Sequence, residues 1–186
     1  KFHSGAGYQY EDSVIYGFTH TNKGHWNLCH IPLLPVTGTP TPGDYCSPFS
    51  HERESAAPGY YQVFLDRYGV DAQLSSTLRC AFHKYTYPAG AAASLLADLQ
   101  RSNEHVRAWD IRKEGDNVFA GWQQTGEKMY FYAVANRPVT GIEPVVEGDR
   151  EVRIVRFGEG DGALELRIGF SFVSEKNARE NLEAEM

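Results

Sequence analysis

The residue types best suited to chemistry are concentrated in one short segment, 17–30. It contains His20, His25 and His30 at five-residue steps, together with Trp26 and two asparagines. Regularly spaced imidazoles could bind a metal, but in a strand a step of five places neighbours on opposite faces. Only a loop would remove that restriction. The spacing therefore argues against a metal site, and we predict no metal ligand in this chain.

A sugar-facing loop is the second interpretation of this segment. The flat apolar face of Trp26 suits a pyranose ring, and imidazole and amide groups offer donors and acceptors to hydroxyl groups. A polar loop packed on a neighbouring domain would have a similar composition, so spacing alone leaves both interpretations open. The candidate substrate-binding residues are His20, Asn22, His25, Trp26 and Asn27.

Two carboxylates, Glu52 and Glu54, are close enough in sequence to suggest the acid and base of a glycosidase. Such a pair usually lies on facing elements with the substrate between them. Carboxylates that flank Arg53 with the same parity are more typical of a solvated or salt-bridged loop. The sequence also contains no nucleophile elbow, phosphate-binding loop, dinucleotide fingerprint or HExxH helix. We therefore predict no catalytic residue in this chain.

Composition indicates what kind of scaffold holds these residues. The chain has 186 residues, enough for one domain, and its net charge of −6 argues against nucleic-acid binding. No apolar run approaches the roughly 20 residues of a membrane span. The three cysteines cannot all pair with one another, and their spacing matches no zinc signature. We expect one domain with small buried thiols, no nucleic-acid partner and no membrane span.

Turn residues recur about every ten positions, a spacing typical of an antiparallel sandwich or barrel. The alternation is clearest in 164–172, where Leu164, Leu166, Ile168, Phe170 and Phe172 share one face. This pattern predicts a strand with that face buried.

A second alternating segment, 74–87, changes parity along its length. Its apolar residues include Cys80 in the first half and Tyr85, of opposite parity, in the second. Such a change predicts a bulge or bend, which we place near His83.

Two segments have a helical composition. We predict a strand for 91–100, because everything around it is sheet. In 174–186, Ser174 is a suitable N-cap and apolar residues follow at four-residue spacing, which predicts a helix. The sequence thus predicts an all-β, antiparallel β-sandwich over 1–173. The helix at 174–186 has no terminator and is expected to begin a linker.

Several motifs, in this order along nearly the whole chain, resemble glycoside hydrolase family 92. They are YQYED at 8–12, IYGFTHT at 15–21, FSHERE at 49–54, APGYY at 57–61, HKYTYP at 83–88, IGFSFVS at 168–174 and NAR at 177–179.

The resemblance implies an exo-acting, calcium-dependent α-mannosidase that inverts configuration, working in the periplasm or outside the cell. It implies an N-terminal β-sandwich of the supersandwich type, a helical linker and a larger (α/α)6 barrel. The general acid, the base and the calcium ligands would belong to that barrel, which this chain lacks. The sandwich would contribute one segment to the substrate pocket between the domains, and that segment corresponds to residues 20–27.

Two functions from different classes therefore remain open. The chain is either the substrate-lining, barrel-docking domain of an enzyme that acts on α-mannosides and N-glycan mannose, or a self-sufficient carbohydrate-binding module. A domain that relies on a partner should expose an apolar patch, whereas a binding module should hold mannosides by itself.

Overall fold

The computed structural model describes residues 9–21, 29–160 and 162–186. Within these ranges the chain forms short antiparallel strands, one 3-10 turn at His51–Arg53 and one α-helix, α1 (Glu175–Glu185). The strands are β1 (Val14–Ile15), β2 (Leu33–Val36), β3 (Ser47–Pro48), β4 (Glu54–Ala57), β5 (Tyr60–Leu65), β6 (Val70–Ser76), β7 (Cys80–Thr86), β8 (Ser94–Ala97), β9 (Ala108–Gly115), β10 (Val118–Gln124), β11 (Lys128–Ala135), β12 (Val139–Glu147), β13 (Arg150–Phe157) and β14 (Leu164–Ser171).

The strands form two main sheets. Eight pair in the order β4-β5-β6-β7-β14-β11-β10-β9, four pair in the order β12-β13-β8-β2, and β1 pairs with β3. Apolar residues from both main sheets belong to one continuous core. The predicted antiparallel β-sandwich with a C-terminal helix is therefore confirmed, and β8 supplies the strand predicted within 91–100.

Alternation along β14 builds the centre of the large sheet. Of the five residues predicted to share a buried face, the four inside β14 are buried. Phe172 is the exception, with 54% of its surface exposed, because the strand ends one residue before it. The prediction for Phe172 is wrong because period-two alternation has no meaning beyond the end of a strand.

The predicted bulge near His83 is also wrong. β7 pairs with β6 and with β14 without any register shift at His83. The inward residues are Ala81, His83 and Tyr85, so His83 is a buried polar residue that keeps the parity of its neighbours. Cys80 is buried from the other face of the sheet, where its partner Gly169 lies under α1.

α1 begins where the sequence predicted. The Ser174 hydroxyl accepts a hydrogen bond from the Asn177 N–H at 3.1 Å, which satisfies a free donor of the first turn. Ala178 and Leu182 are buried against the large sheet. A side chain at Gly169 would overlap the Ala178 carbonyl oxygen, so the absence of a Cβ permits the close approach of helix and strand. In the described residues, no helix is both long enough and apolar enough to cross a membrane.

Ion pairs fix both ends of α1. Arg112 donates two hydrogen bonds of 2.9 Å to the Glu175 carboxylate. At the other end, Glu185 accepts from the Arg79 guanidinium at 2.5 Å, from the Arg79 N–H at 3.0 Å and from the Thr77 hydroxyl. These donors lower the pKa of Glu185 to about 2. The helix is thereby held in one position along the sheet.

The contact at Gly169 predicts the effect of adding one methyl group. Gly169→Ala should lower the free energy of unfolding by roughly 1–3 kcal/mol, because α1 must move away from β14. The control is Gly141→Ala in β12, where a Cβ would meet nothing within 4 Å. Urea denaturation of both variants provides the measurement, and equal midpoints would contradict close packing of α1 at Gly169.

Candidate functional site

A groove with a volume of about 1190 Å³ lies beside α1. Residues 16–21, which follow β1, line part of the groove, and the turn 77–79 and the first turns of α1 line another part. Asn177 and Asn181 line it from the helix. Of the predicted site residues that the structure describes, His20 lies in this groove.

The rim of the groove is apolar and exposed. Four large apolar residues line the groove and are exposed: Leu78 has 90% of its surface exposed, Val173 76%, Phe172 54% and Tyr60 38%. Large apolar side chains that are exposed together are uncommon on a domain that works alone. The groove therefore combines a surface suited to contact with another molecule or domain with interior hydroxyl and amide groups.

The remaining predicted substrate-binding residues, Asn22, His25, Trp26 and Asn27, lie outside the described residues. The structure does describe the flanking residues, 18–21 and 29–33, which we call the stem. Phe18 and Leu33 exchange backbone hydrogen bonds of 2.8 and 3.0 Å, and the His20 N–H donates to the His30 carbonyl at 3.1 Å. Residues 18–21 of the stem line the groove.

A chain of hydrogen bonds crosses the sandwich to hold the stem. The Thr125 hydroxyl donates to the Glu104 carboxylate at 2.5 Å, so it must accept from His30 Nε2–H at 3.0 Å. The other ring nitrogen, His30 Nδ1, then accepts from the Thr21 hydroxyl at 2.8 Å. Both sides of the stem are thus tied to the turn between β10 and β11.

His20 belongs to a second directed chain. Its Nδ1–H donates to the Ile31 carbonyl at 2.8 Å, because a carbonyl can only accept. Neutral His20 must therefore accept through Nε2 from His83 Nε2–H at 3.3 Å. His83 Nδ1 in turn accepts from the Tyr85 hydroxyl at 2.6 Å. Each ring nitrogen of His20 is thus engaged within the protein.

Burial keeps these two imidazoles neutral. It lowers the pKa of His20 to about 4 and lowers the pKa of His83 well below its usual value, with the proximity of His20 adding to the second effect. Both rings are uncharged at neutral pH, which is the state that the directed chain requires. Their arrangement suits support of the stem better than proton transfer to a bound molecule.

Sequence patterns did not reveal four residues that matter for this site: His83, Tyr85, Gln123 and Thr125. These residues lie on strands or at strand ends and point inward, where the alternation rule expects apolar side chains. Their only signal was a polar or hydroxyl-bearing residue at an inward position, and that signal becomes readable only once the strand register is known.

The two carboxylates considered for catalysis do not face each other across the groove. Glu54 accepts hydrogen bonds from the His51 imidazole and the Tyr61 hydroxyl, both at 2.6 Å, and Glu52 is exposed in the 3-10 turn. Neither lines the groove. Among the described residues, no group of three or more His, Cys, Asp or Glu side chains could hold a metal ion.

Fold and site together define a β-sandwich domain with a groove beside its C-terminal helix and a side-chain network beneath one edge of that groove. The family model described as the glycosyl hydrolase family 92 N-terminal domain matches residues 1–179. The chain belongs to this family.

Solved structures of other proteins share this fold. The family GH92 α-mannosidase BT3965 from Bacteroides thetaiotaomicron matches with a TM-score of 0.84 and 23% identity, over 98% of this chain and 30% of that protein. The GH92 glycosyl hydrolase ccman5 matches with a TM-score of 0.81 and 25% identity, over 96% and 29% of the two chains.

A third match is the GH92 inverting mannosidase BT2199 from B. thetaiotaomicron VPI-5482, with a TM-score of 0.78 and 23% identity over 96% of this chain and 27% of that one. This chain thus spans less than a third of each solved relative. A search of curated proteins finds no match.

The neutral histidines predict an acid-sensitive fold. The pKa of His20 is 6.5 unfolded and about 4 folded, so the unfolded state binds more protons between these values. The free energy of unfolding should therefore fall by up to about 3 kcal/mol as the pH drops from 6.5 to 4.

Urea denaturation across this pH range measures the loss. His20→Asn keeps a donor for the Ile31 carbonyl but does not titrate, so its free energy of unfolding should depend less steeply on pH. Identical pH dependence in the variant and the native protein would show that His20 does not contribute.

Proposed function

We propose that this domain forms one wall of the substrate pocket of an inverting, exo-acting α-mannosidase that acts on α-mannosides, including the mannose of N-glycans. The observation that carries the proposal is the position of the stem at the edge of the groove in a chain of this family. We place the enzyme in the periplasm or outside the cell, as the family resemblance implies.

The apolar rim supports a docking role. Leu78, Phe172 and Val173 would be covered by the (α/α)6 barrel that we propose to follow the linker beginning with helix 174–186. Covering them would remove apolar surface from water, at about 25 cal/mol per Å². In this proposal the general acid, the base and calcium belong to the barrel. A self-sufficient carbohydrate-binding module would leave the same residues exposed, so the rim favours the docking role.

Within the pocket, we assign His20, Asn22, His25, Trp26 and Asn27 to the leaving-group side. Trp26 would stack on the leaving-group sugar, and the amides and His25 would bond its hydroxyl groups. Both ring nitrogens of His20 form hydrogen bonds within the protein. His20 would therefore support the stem and not bond the sugar directly. The mannose that is cleaved would contact mainly the barrel.

Separating the domain from its partner tests the docking role. The isolated chain should release no mannose from α-mannosides, with or without calcium, and should bind mannosides weakly or not at all in calorimetry. The intact protein should release mannose in a calcium-dependent way. Tight mannoside binding by the isolated chain would instead establish a carbohydrate-binding module.

Replacement of Trp26 tests the recognition role. In the intact protein, Trp26→Ala should lower kcat/KM for a mannosyl disaccharide by the equivalent of about 1–3 kcal/mol, the value of a stacking contact and its buried area. An activated mannoside with a small leaving group should be hydrolysed almost as well as before, because it lacks the stacked sugar.

Trp122→Ala is the matched control, since Trp122 lies on β10 away from the groove and its ring is covered by the Lys128 ammonium group, 3.5 Å from the ring centroid. This variant should affect both substrates alike. Equal losses on both substrates in Trp26→Ala, or a collapse of its melting temperature, would remove Trp26 from the leaving-group site.

A further inference from the structure

Thr21 lines the groove, and its hydroxyl group is almost fully engaged within the protein. Its oxygen accepts a hydrogen bond from the His30 N–H at 3.1 Å, and its proton goes to His30 Nδ1 at 2.8 Å. A hydroxyl group offers one donor and two acceptor sites. One acceptor site of the Thr21 oxygen therefore remains without a partner among the described residues. Towards the groove, this group can accept a hydrogen bond but cannot donate one.

The direction of the bond between Thr21 and His30 is set at the far end of the hydrogen-bond chain. The Glu104 carboxylate can only accept, so Thr125 donates its proton there and accepts from His30 Nε2–H. A neutral imidazole has one N–H, so His30 Nδ1 is an acceptor and the proton between it and Thr21 comes from the threonine. A carboxylate on the other side of this chain thus fixes the polarity of a hydroxyl group in the groove.

The backbone beside His30 is also held in place. Ile31 has a φ of +55°, in the left-handed region that β-branched residues rarely adopt, and its side chain is fully buried. Its N–H donates to the side-chain oxygen of Gln123 at 2.6 Å, and its carbonyl accepts from His20. Such a conformation persists only where its surroundings fix it. The His30 imidazole therefore extends from a fixed backbone and gives Thr21 a fixed partner.

The surroundings of Thr21 restrict the ligand that could use its remaining acceptor site. The exposed Phe172 ring meets the His30 ring edge to face, with centroids 6.0 Å apart, so Thr21 and the apolar rim contact the same imidazole. His20 lines the groove as well, but its two ring nitrogens are bonded within the protein. The ligand must then supply the proton. The hydroxyl groups of a sugar can do so, whereas ionised phosphate, sulfate and carboxylate groups only accept.

We propose that Thr21 is a sugar-binding residue that accepts a hydrogen bond from a hydroxyl group of the leaving-group sugar. In this proposal Glu104, Thr125 and His30 are positioning residues that hold Thr21 in its acceptor state. The contact with the leaving-group sugar rests on the proposed function, whereas the acceptor state follows from the hydrogen-bond chain alone.

The protonation site of His30 tests the acceptor state without any substrate. Proton–nitrogen correlation spectra of protein with isotope-labelled histidine should show His30 protonated at Nε2 and unprotonated at Nδ1. In Glu104→Gln the amide can donate to Thr125 as well as accept from it, so the chain can run in both directions. A signal of His30 protonated at Nδ1 should then appear.

Glu127→Gln is the matched control for these spectra, because it changes an exposed carboxylate in the turn that contains Thr125. It should leave the His30 signals as they are in the native protein. A native His30 protonated at Nδ1 would overturn the proposal, since Thr21 would then donate towards the groove. Unchanged His30 signals in Glu104→Gln would overturn the positioning role of Glu104.

Substrate analogues test the sugar contact in the intact protein. Each hydroxyl group of the leaving-group sugar in a mannosyl disaccharide is replaced in turn by hydrogen and by fluorine, neither of which can donate a hydrogen bond. At one position both replacements should raise KM about tenfold, the equivalent of one lost hydrogen bond. A fluorine analogue that regains the affinity lost with hydrogen would overturn the proposal, because the site would then be a donor.

Replacement of Thr21 assigns this contact to its hydroxyl group. Thr21→Val should raise KM for the unmodified disaccharide about tenfold and remove the further penalty for the analogue at that position, while Thr21→Ser should behave like the native protein. KM does not depend on the amount of folded enzyme, so the comparison remains valid where Thr21→Val folds poorly. A penalty that persists in Thr21→Val would overturn the contact.

The two kinds of experiment separate this proposal from the proposed function. An intact protein that hydrolyses no α-mannoside would overturn the proposed function and with it the sugar contact. His30 protonated at Nε2 would still uphold the acceptor state in that case. Mannoside hydrolysis with an unaltered KM in Thr21→Val would overturn the role of Thr21 and leave the proposed function intact.

Discussion

The left-handed conformation of Ile31 is the local constraint on which the edge of the groove depends. Such a conformation costs of order 1–3 kcal/mol, and a buried N–H without a partner would cost about as much again. Gln123 accepts a hydrogen bond from the Ile31 N–H, so this group has a partner. With the bond that His20 donates to the Ile31 carbonyl, it also holds the left-handed conformation in place. Because these bonds come from a distant strand and from the opposite side of the stem, the direction of the stem is a property of the assembled sandwich.

Another part of the groove depends on α1, which is held by a different physical interaction. The helix lies directly on the backbone of β14 at Gly169, where the absence of a side chain permits close approach. Ion pairs with Arg112 and Arg79 then prevent it from sliding along the sheet. Since Asn177 and Asn181 line the groove, the packing that stabilises the helix also positions these two side chains.

Four buried polar side chains belong to the hydrogen-bond network of the stem. His30, His83, Gln123 and Thr125 each have 3% or less of their surface exposed, and each is hydrogen-bonded. Apolar side chains at these positions could fill space but could not form these hydrogen bonds. Hydrogen bonds are directional, however, and a satisfied network specifies one arrangement of the chains that it joins. Apolar packing elsewhere supplies stability, while this network supplies orientation.

The sequence by itself determined the elements whose signals are local. Alternation marked β14, and a capping serine with four-residue spacing marked α1, because both patterns depend on residues a few positions apart. The motifs at 15–21 and 168–174 likewise identified the family. The alternation rule misread His83, since it treats an inward polar residue as a change of face. Only the tertiary structure decided which partners satisfy such residues: Gln123 meets Ile31 across 92 positions of sequence, and no local pattern encodes a hydrogen bond between strands whose neighbours are unknown.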